Sequence, residues 1–167
     1  MTQPEKTPMP DRLTAVLASS VPHDHTVKNH KDTAICGGPF DHDLKLLRKV
    51  FNDLRRAGFI ALQNHKCCGS CAGADIGCRV EAMDSLPQGA VFYCAQTAKT
   101  RDEGWPFYLN FSRSGDNDED SPLSTVEVGT ITCEILHAHG IPYTWDGDRW
   151  TSIRVHPLPL YAAEVVA

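Results

Sequence analysis

Phe59-Ile60-Ala61-Leu62-Gln63-Asn64-His65-Lys66-Cys67-Cys68-Gly69-Ser70-Cys71 is the stretch of this chain whose reading decides the fold. Its first five residues are apolar and short, bounded by the thiol cluster, which predicts a buried strand. Cys71 then opens a helix through Met83, with Ala72, Ile76, Val80 and Met83 on one side. Three of the seven cysteines and one of the eight histidines therefore fall at a strand-to-helix junction. Gly73 and Gly77, four apart on another face of that helix, each cost up to about 1 kcal/mol relative to Ala. Their placement reads as room for a close backbone approach.

Upstream, Leu44, Leu47, Val50, Phe51 and Leu54 recur at helical spacing from Asp43, and Lys45, Arg48, Lys49, Arg55 and Arg56 take the other face. Gly58 is the expected C-terminal cap. Downstream, Leu86-Pro87-Gln88-Gly89 is a turn, Ala90 to Ala95 a strand, Gln96 to Gly104 a polar loop, and Phe107, Leu109 and Phe111 the buried face of a third strand. Ser124 with Glu127 forms a capping box, and Leu123 with Val128 a hydrophobic staple, for a helix running to Gly140. Ile141 to Trp145 and Trp150 to Val155 then flank Asp146-Gly147-Asp148-Arg149, a hairpin turn signal.

This order predicts an α+β protein, specifically a ferredoxin-like two-layer sandwich with an extra N-terminal helix and an extra C-terminal strand. With 167 residues and 41% hydrophobic content, one domain is expected: a flexible tail over 1–38, a single α+β domain over 39–157 and a C-terminal tail over 158–167. The tail holds His23, Asp24, His25, His30 and Cys36, and nothing in its pattern would hold them in one geometry. A net charge of -5 without a basic run argues against nucleic acid as a partner. No apolar run reaches membrane-spanning length and the N-terminus has no secretory pattern, so no membrane association and a cytoplasmic location are expected. An odd cysteine count fits reduced thiols rather than a secreted disulfide framework.

Three chemistries fit the thiol cluster. Cys68 and Cys71 bracket a helix start, where free amides and the macrodipole stabilise a thiolate, so they can form a redox dithiol with Cys68 attacking and Cys71 resolving. A thioredoxin-type fold would also require a helix between the second and third strands, which the pattern does not show; Trp105-Pro106 resembles that fold's proline turn only loosely. His65, Cys67, Cys68 and Cys71 are soft donors suited to zinc, although neighbouring Cys67 and Cys68 would diverge in an extended segment. Packing alone is the third reading, since free cysteines favour buried turns. His65 and Cys67 share a strand face, but no third group orients the imidazole as a base. Asp116, Asp118, Asp120 and Glu127 carry calcium-loop spacing; Ser121 stands where that loop needs Gly, so a solvated acidic loop is the reading.

The run from Leu54 to Cys71, with Ser124-Thr125-Val126-Glu127-Val128-Gly129 and Gly140-Ile141-Pro142-Tyr143-Thr144-Trp145-Asp146-Gly147, resembles an uncharacterised bacterial domain family. Its mark is Cys-Cys-x-x-Cys after a short strand with a closing Trp-Asp-Gly hairpin, and the resemblance covers about Asp43 to Val155. The last helix and hairpin are also similar to the B-type protein inhibitor of RNase E, a small ferredoxin-like regulator. Neither resemblance supplies a reaction. The function read from the sequence is a binding or regulatory module with a protein partner and zinc as its cofactor at Cys67, Cys68, Cys71 and His65. The alternatives are a thiol-disulfide oxidoreductase using Cys68 and Cys71, and a structural thiol cluster in a protein-interaction domain.

Overall fold

The computed structural model describes residues 41–102 and 107–156. The expected tails, the histidine group around His23 and the Trp105-Pro106 pair lie outside those residues. Elements follow in the order α1 (Asp41–Arg56), β1 (Ile60–Leu62), α2 (Gly69–Glu81), β2 (Ala90–Phe92), α3 (Ala95–Asp102), β3 (Phe107–Ser112), α4 (Thr125–Ala138), β4 (Tyr143–Thr144) and β5 (Ile153–Val155). The α+β class stands. One mixed sheet carries the strands in the order β1-β2-β3-β5-β4, with β1 and β2 parallel and every other pair antiparallel.

Two details depart from the ferredoxin-like expectation. A split β-α-β unit places another strand between the two it connects, whereas Ile60, Ala61 and Leu62 pair directly with Ala90, Val91 and Phe92. The helices also do not share one face. Ile60, Leu62, Ala90 and Phe92 point to one side and pack with Ala72 and Ile76 of α2. Ala61 and Val91 point to the other, into the main core with Val50, Phe51 and Leu54 of α1 and Val128, Ile135 and Leu136 of α4. A parallel pair with apolar residues on both faces must be covered twice, and that requirement sets α2 opposite α1 and α4.

The helical periodicity of α1 is realised in its burial: Leu47, Val50, Phe51 and Leu54 are buried while Arg48 and Lys49 face solvent. Gly58 takes φ +88°, the left-handed conformation that ends the helix. Buried Asp53 joins α1 to the end of α4 through His139 Nε2 at 2.7 Å and also holds Arg56 at 3.1 Å. The capping box at α4 is present in both directions, with Glu127 N–H donating to Ser124 Oγ and Ser124 N–H donating to Glu127 Oε2. Leu123 and Val128 of the staple are both buried. Gln96 to Gly104 is not simply a loop, since α3 occupies its first part; apart from Ala95 and Ala98 the helix is polar, so no apolar face announced it. Gly73 and Gly77 face open space, and Met83 is largely exposed, so α2 buries a narrower stripe than its sequence predicts.

A close approach does occur at Gly129 on α4. A Cβ there would stand 2.7 Å from Trp145 Cη2 and 3.0 Å from Phe111 Cε2, and those two rings meet edge to face with centroids 5.3 Å apart. Gly129→Ala gains helix propensity of about 1 kcal/mol at most, but overpacking costs about 1–3 kcal/mol. The expected result is a lower urea midpoint; an unchanged or raised midpoint would show that the Trp145 ring yields without cost.

Candidate metal and thiol site

Backbone hydrogen bonds decide the shape of the segment after β1. Tyr93 N–H donates to Leu62 O at 3.2 Å and His65 N–H to Tyr93 O at 2.9 Å, carrying the β1–β2 pairing past the strand ends. Ala95 N–H then donates to Lys66 O at 2.9 Å and Gln96 N–H to Cys67 O at 3.3 Å. The first amides of α3, which have no partner within their own helix, thus find carbonyls in the thiol segment. Asn64 at φ 47° and Lys66 at φ 60° supply the turns, a conformation uncommon outside glycine.

After those turns, adjacent Cys67 and Cys68 converge rather than diverge as expected. The chain bends at Cys67 and Cys68 although Cys68 itself keeps extended angles, and their Sγ atoms lie 3.9 Å apart. The Sγ atoms of Cys67, Cys68 and Cys71 all fall within 4.8 Å of one another. Cys67 and Cys71 are exposed and Cys68 is half-buried. Cys68 is the N-cap residue of α2, with Ala72 N–H donating to its carbonyl at 3.0 Å.

The three thiols are electrostatically unequal. The Cys71 backbone N–H, then the Cys71 and Cys67 thiols, donate toward Cys68 Sγ and lower its pKa below that of an ordinary thiol. Cys71 is pushed the other way, to about 11, by its interactions with the Cys67 and Cys68 side chains. Cys68 therefore gives up its proton more readily than Cys71.

His65 belongs to a different constellation. Its Nε2 lies 2.8 Å from Asp75 Oδ2, and Asp75 also receives Arg79 Nε at 2.7 Å and Lys66 Nζ at 3.2 Å. Arg79, His65 and Lys66, in that order of effect, hold the Asp75 carboxyl well below the usual carboxylate range. His65 is not part of the three-sulfur group. The sequence reading missed Asp75 as an anchor of the thiol segment; its Arg79 partner sits at i+4 and was legible, but the links to His65 and Lys66 depend on the loop.

The remaining cysteines are dispersed among the described residues. Cys78 is exposed on α2, and Cys94 is buried with its sulfur 3.5 Å from Thr97 Oγ1. Cys133 lies in the main core, where burial pushes its thiol up to about 12. The acidic loop gathers no metal-type group among the described residues: Asp118 pairs with Arg113 and Arg149, and Glu127 is spent on the capping box. Sequence reading also missed a cleft of about 400 Å³ where the end of β3 meets the closing hairpin, with Arg113, Arg149 and the exposed Trp150 on its walls.

A family described as "Domain of unknown function (DUF6891)" matches residues 29–159. The chain belongs to this family. The match spans the strand, the Cys-Cys-x-x-Cys segment, α2 and the closing hairpin, so the family resemblance seen in the sequence is confirmed. No curated protein matches the chain, an RNase E inhibitor included, and no solved structure does. Among the described residues of this family member, no helix is long and apolar enough to cross a membrane.

Proposed function

We propose that this domain is a binding or regulatory module that holds a zinc ion on Cys67, Cys68 and Cys71. The observation that carries the reading is the convergence of the three sulfurs. Zinc–sulfur bonds of about 2.3 Å in a tetrahedron separate ligand sulfurs by about 3.8 Å, and Cys67 and Cys68 already stand 3.9 Å apart. Thiolates favour zinc over the hard cations magnesium and calcium. Iron–sulfur clusters call for four cysteines, one more than this group supplies. A reducing compartment such as the cytoplasm suits free thiols as ligands, and the negative charge favours a protein partner over nucleic acid or membrane.

Metal analysis of protein purified without chelator tests the reading. About one zinc per chain is expected, falling below a tenth in Cys68→Ser and in Cys67→Ser, while Cys78→Ser keeps it. Metal-free wild type, or full occupancy in Cys68→Ser, removes the reading.

The opposed pKa directions of Cys68 and Cys71 favour a second reading, the dithiol oxidoreductase. Cys68 thiolate would attack a substrate disulfide and expel one thiolate; Cys71, losing its proton, would then attack Cys68 Sγ and release the other, leaving a Cys68–Cys71 disulfide and a reduced substrate. The helix that the thioredoxin comparison requires between the second and third strands is there as α3. In metal-free protein, iodoacetamide at pH 7 should label Cys68 several-fold faster than Cys71, as read by peptide mass spectrometry. Equal rates would remove the asymmetry on which this reading depends, and turnover of a small disulfide separates it from the zinc module.

A further inference from the structure

We propose that the zinc site leaves its fourth coordination position open to a thiolate from outside the chain, so that the domain exchanges its ion with other thiol carriers. This rests on the zinc reading above and concerns how the same site is completed. The donor group contains three sulfurs and, among the described residues, no fourth His, Cys, Asp or Glu. His65 is the adjacent soft donor, but neither of its ring nitrogens falls in the three-sulfur group; its Nε2 meets Asp75 at 2.8 Å, and Asp75 is itself held by Arg79 at 2.7 Å. Cys94 is buried beside Thr97 and Cys133 lies in the main core, so neither reaches the group without unfolding.

Access and stability point the same way. Cys67 and Cys71 are exposed, so an incoming ligand meets the ion without any opening of the fold. None of the three cysteines belongs to either buried cluster. Closed four-ligand zinc sites contribute folding energy and hold their metal, whereas three protein ligands leave a position for an exchangeable fourth. Here the two buried clusters of the described residues are built without the three cysteines, so the ion can leave without opening either.

The charge of the donor set selects the external ligand. Three thiolates outweigh the +2 of zinc, so the ion withdraws little charge from a bound water, which disfavours the activated hydroxide of hydrolytic sites. A soft thiolate suits the remaining position instead. In the exchange, the incoming thiol gives its sulfur to zinc and its proton to solvent as water leaves. Each later step forms one zinc–sulfur bond to a carrier as one bond to a protein cysteine breaks, and that cysteine takes up a proton. No electron is transferred.

Cobalt(II), bound in place of zinc under anaerobic conditions, reports the number of thiolates by the intensity of its sulfur-to-metal absorption. The full chain loaded with one equivalent of cobalt is titrated with 2-mercaptoethanol. The absorption is expected to rise by about one third, as three thiolates become four, and to rise equally in Cys36→Ser, Cys78→Ser and His65→Gln. Binding with no response to the added thiol overturns the open position. So does a four-thiolate spectrum that loses intensity in Cys36→Ser, or a spectrum changed by His65→Gln, since each identifies a fourth ligand within the chain. Failure to take up cobalt at all removes the metal reading itself and is distinguishable from these.

Discussion

Phe51→Ala is expected to lower the free energy of unfolding by about 3–5 kcal/mol, the largest stability loss anticipated for a single truncation in this domain. Phe51 has no exposed surface, and its ring meets Tyr93 edge to face with centroids 5.7 Å apart. Tyr93 in turn meets Phe107 at 5.5 Å. These three rings join α1, the end of β2 and β3, and Leu54, Leu109 and Ile135 are fully buried in the same cluster. Tyr93, held on its other side by Phe107, is not free to fill the space left by a benzyl group, so the cavity cost adds to the lost transfer energy. Against a usual total of about 5–15 kcal/mol, the loss leaves a marginal protein. Urea unfolding measures it, and a loss under about 1 kcal/mol would show that the rings do not pack as described. The effect should reach the thiol segment too, because the Tyr93 carbonyl accepts the His65 amide at 2.9 Å. Cys68→Ser, outside both buried clusters, should shift the same transition by no more than about 0.5 kcal/mol.

Local signals in this sequence were legible where one element satisfies its own needs. The apolar stripe of α1, the capping box at Ser124 and the strand-to-helix switch at Cys68 each state themselves within a few residues, and each is present. The closing hairpin is present as well, though β4 and β5 are shorter than the flanking apolar runs. What failed was the assembly. The same order of helices and strands fits a split or a direct pairing of β1 and β2, and what distinguishes them is burial on both faces, Ile60, Leu62, Ala90 and Phe92 toward α2 and Ala61 and Val91 toward the main core. A three-residue strand is too short to reveal that it is apolar on both faces rather than alternating. α3 escaped because it is short and largely polar, and its start is tied instead to the carbonyls of Lys66 and Cys67.

The site divides the same way. Three of the four proposed donors, Cys67, Cys68 and Cys71, converge. Cys67 and Cys68 would diverge in an extended chain, but the chain bends there, just after left-handed Asn64 and Lys66. No pattern of side-chain types announces a positive φ at a lysine, so sequence reasoning had no means of finding it. His65 stands outside the three-sulfur group, and its Nε2 meets Asp75, ten residues away, across a loop whose course the sequence does not state.

Zinc affinity is expected to climb at least about tenfold for each unit of pH between 7 and 9. Cys71 is pushed up to about 11, so in the metal-free protein it keeps its proton throughout that range. Zinc binds the thiolate, and each ion captured must therefore displace the Cys71 proton. Raising the pH removes the competing proton and tightens binding; lowering it does the reverse. Cys68, whose pKa is lowered, opposes the metal less than Cys71 does. Competition with a chromophoric chelator at several pH values measures the slope. The range above pH 7 is the informative one. Adventitious zinc on surface histidines and carboxylates stops gaining affinity once those groups have lost their protons, near pH 6.5 for an ordinary histidine. A slope that levels there would place the ion away from Cys71. One that continues to pH 9 requires a ligand still protonated at neutral pH, and within the three-sulfur group Cys71 meets that requirement.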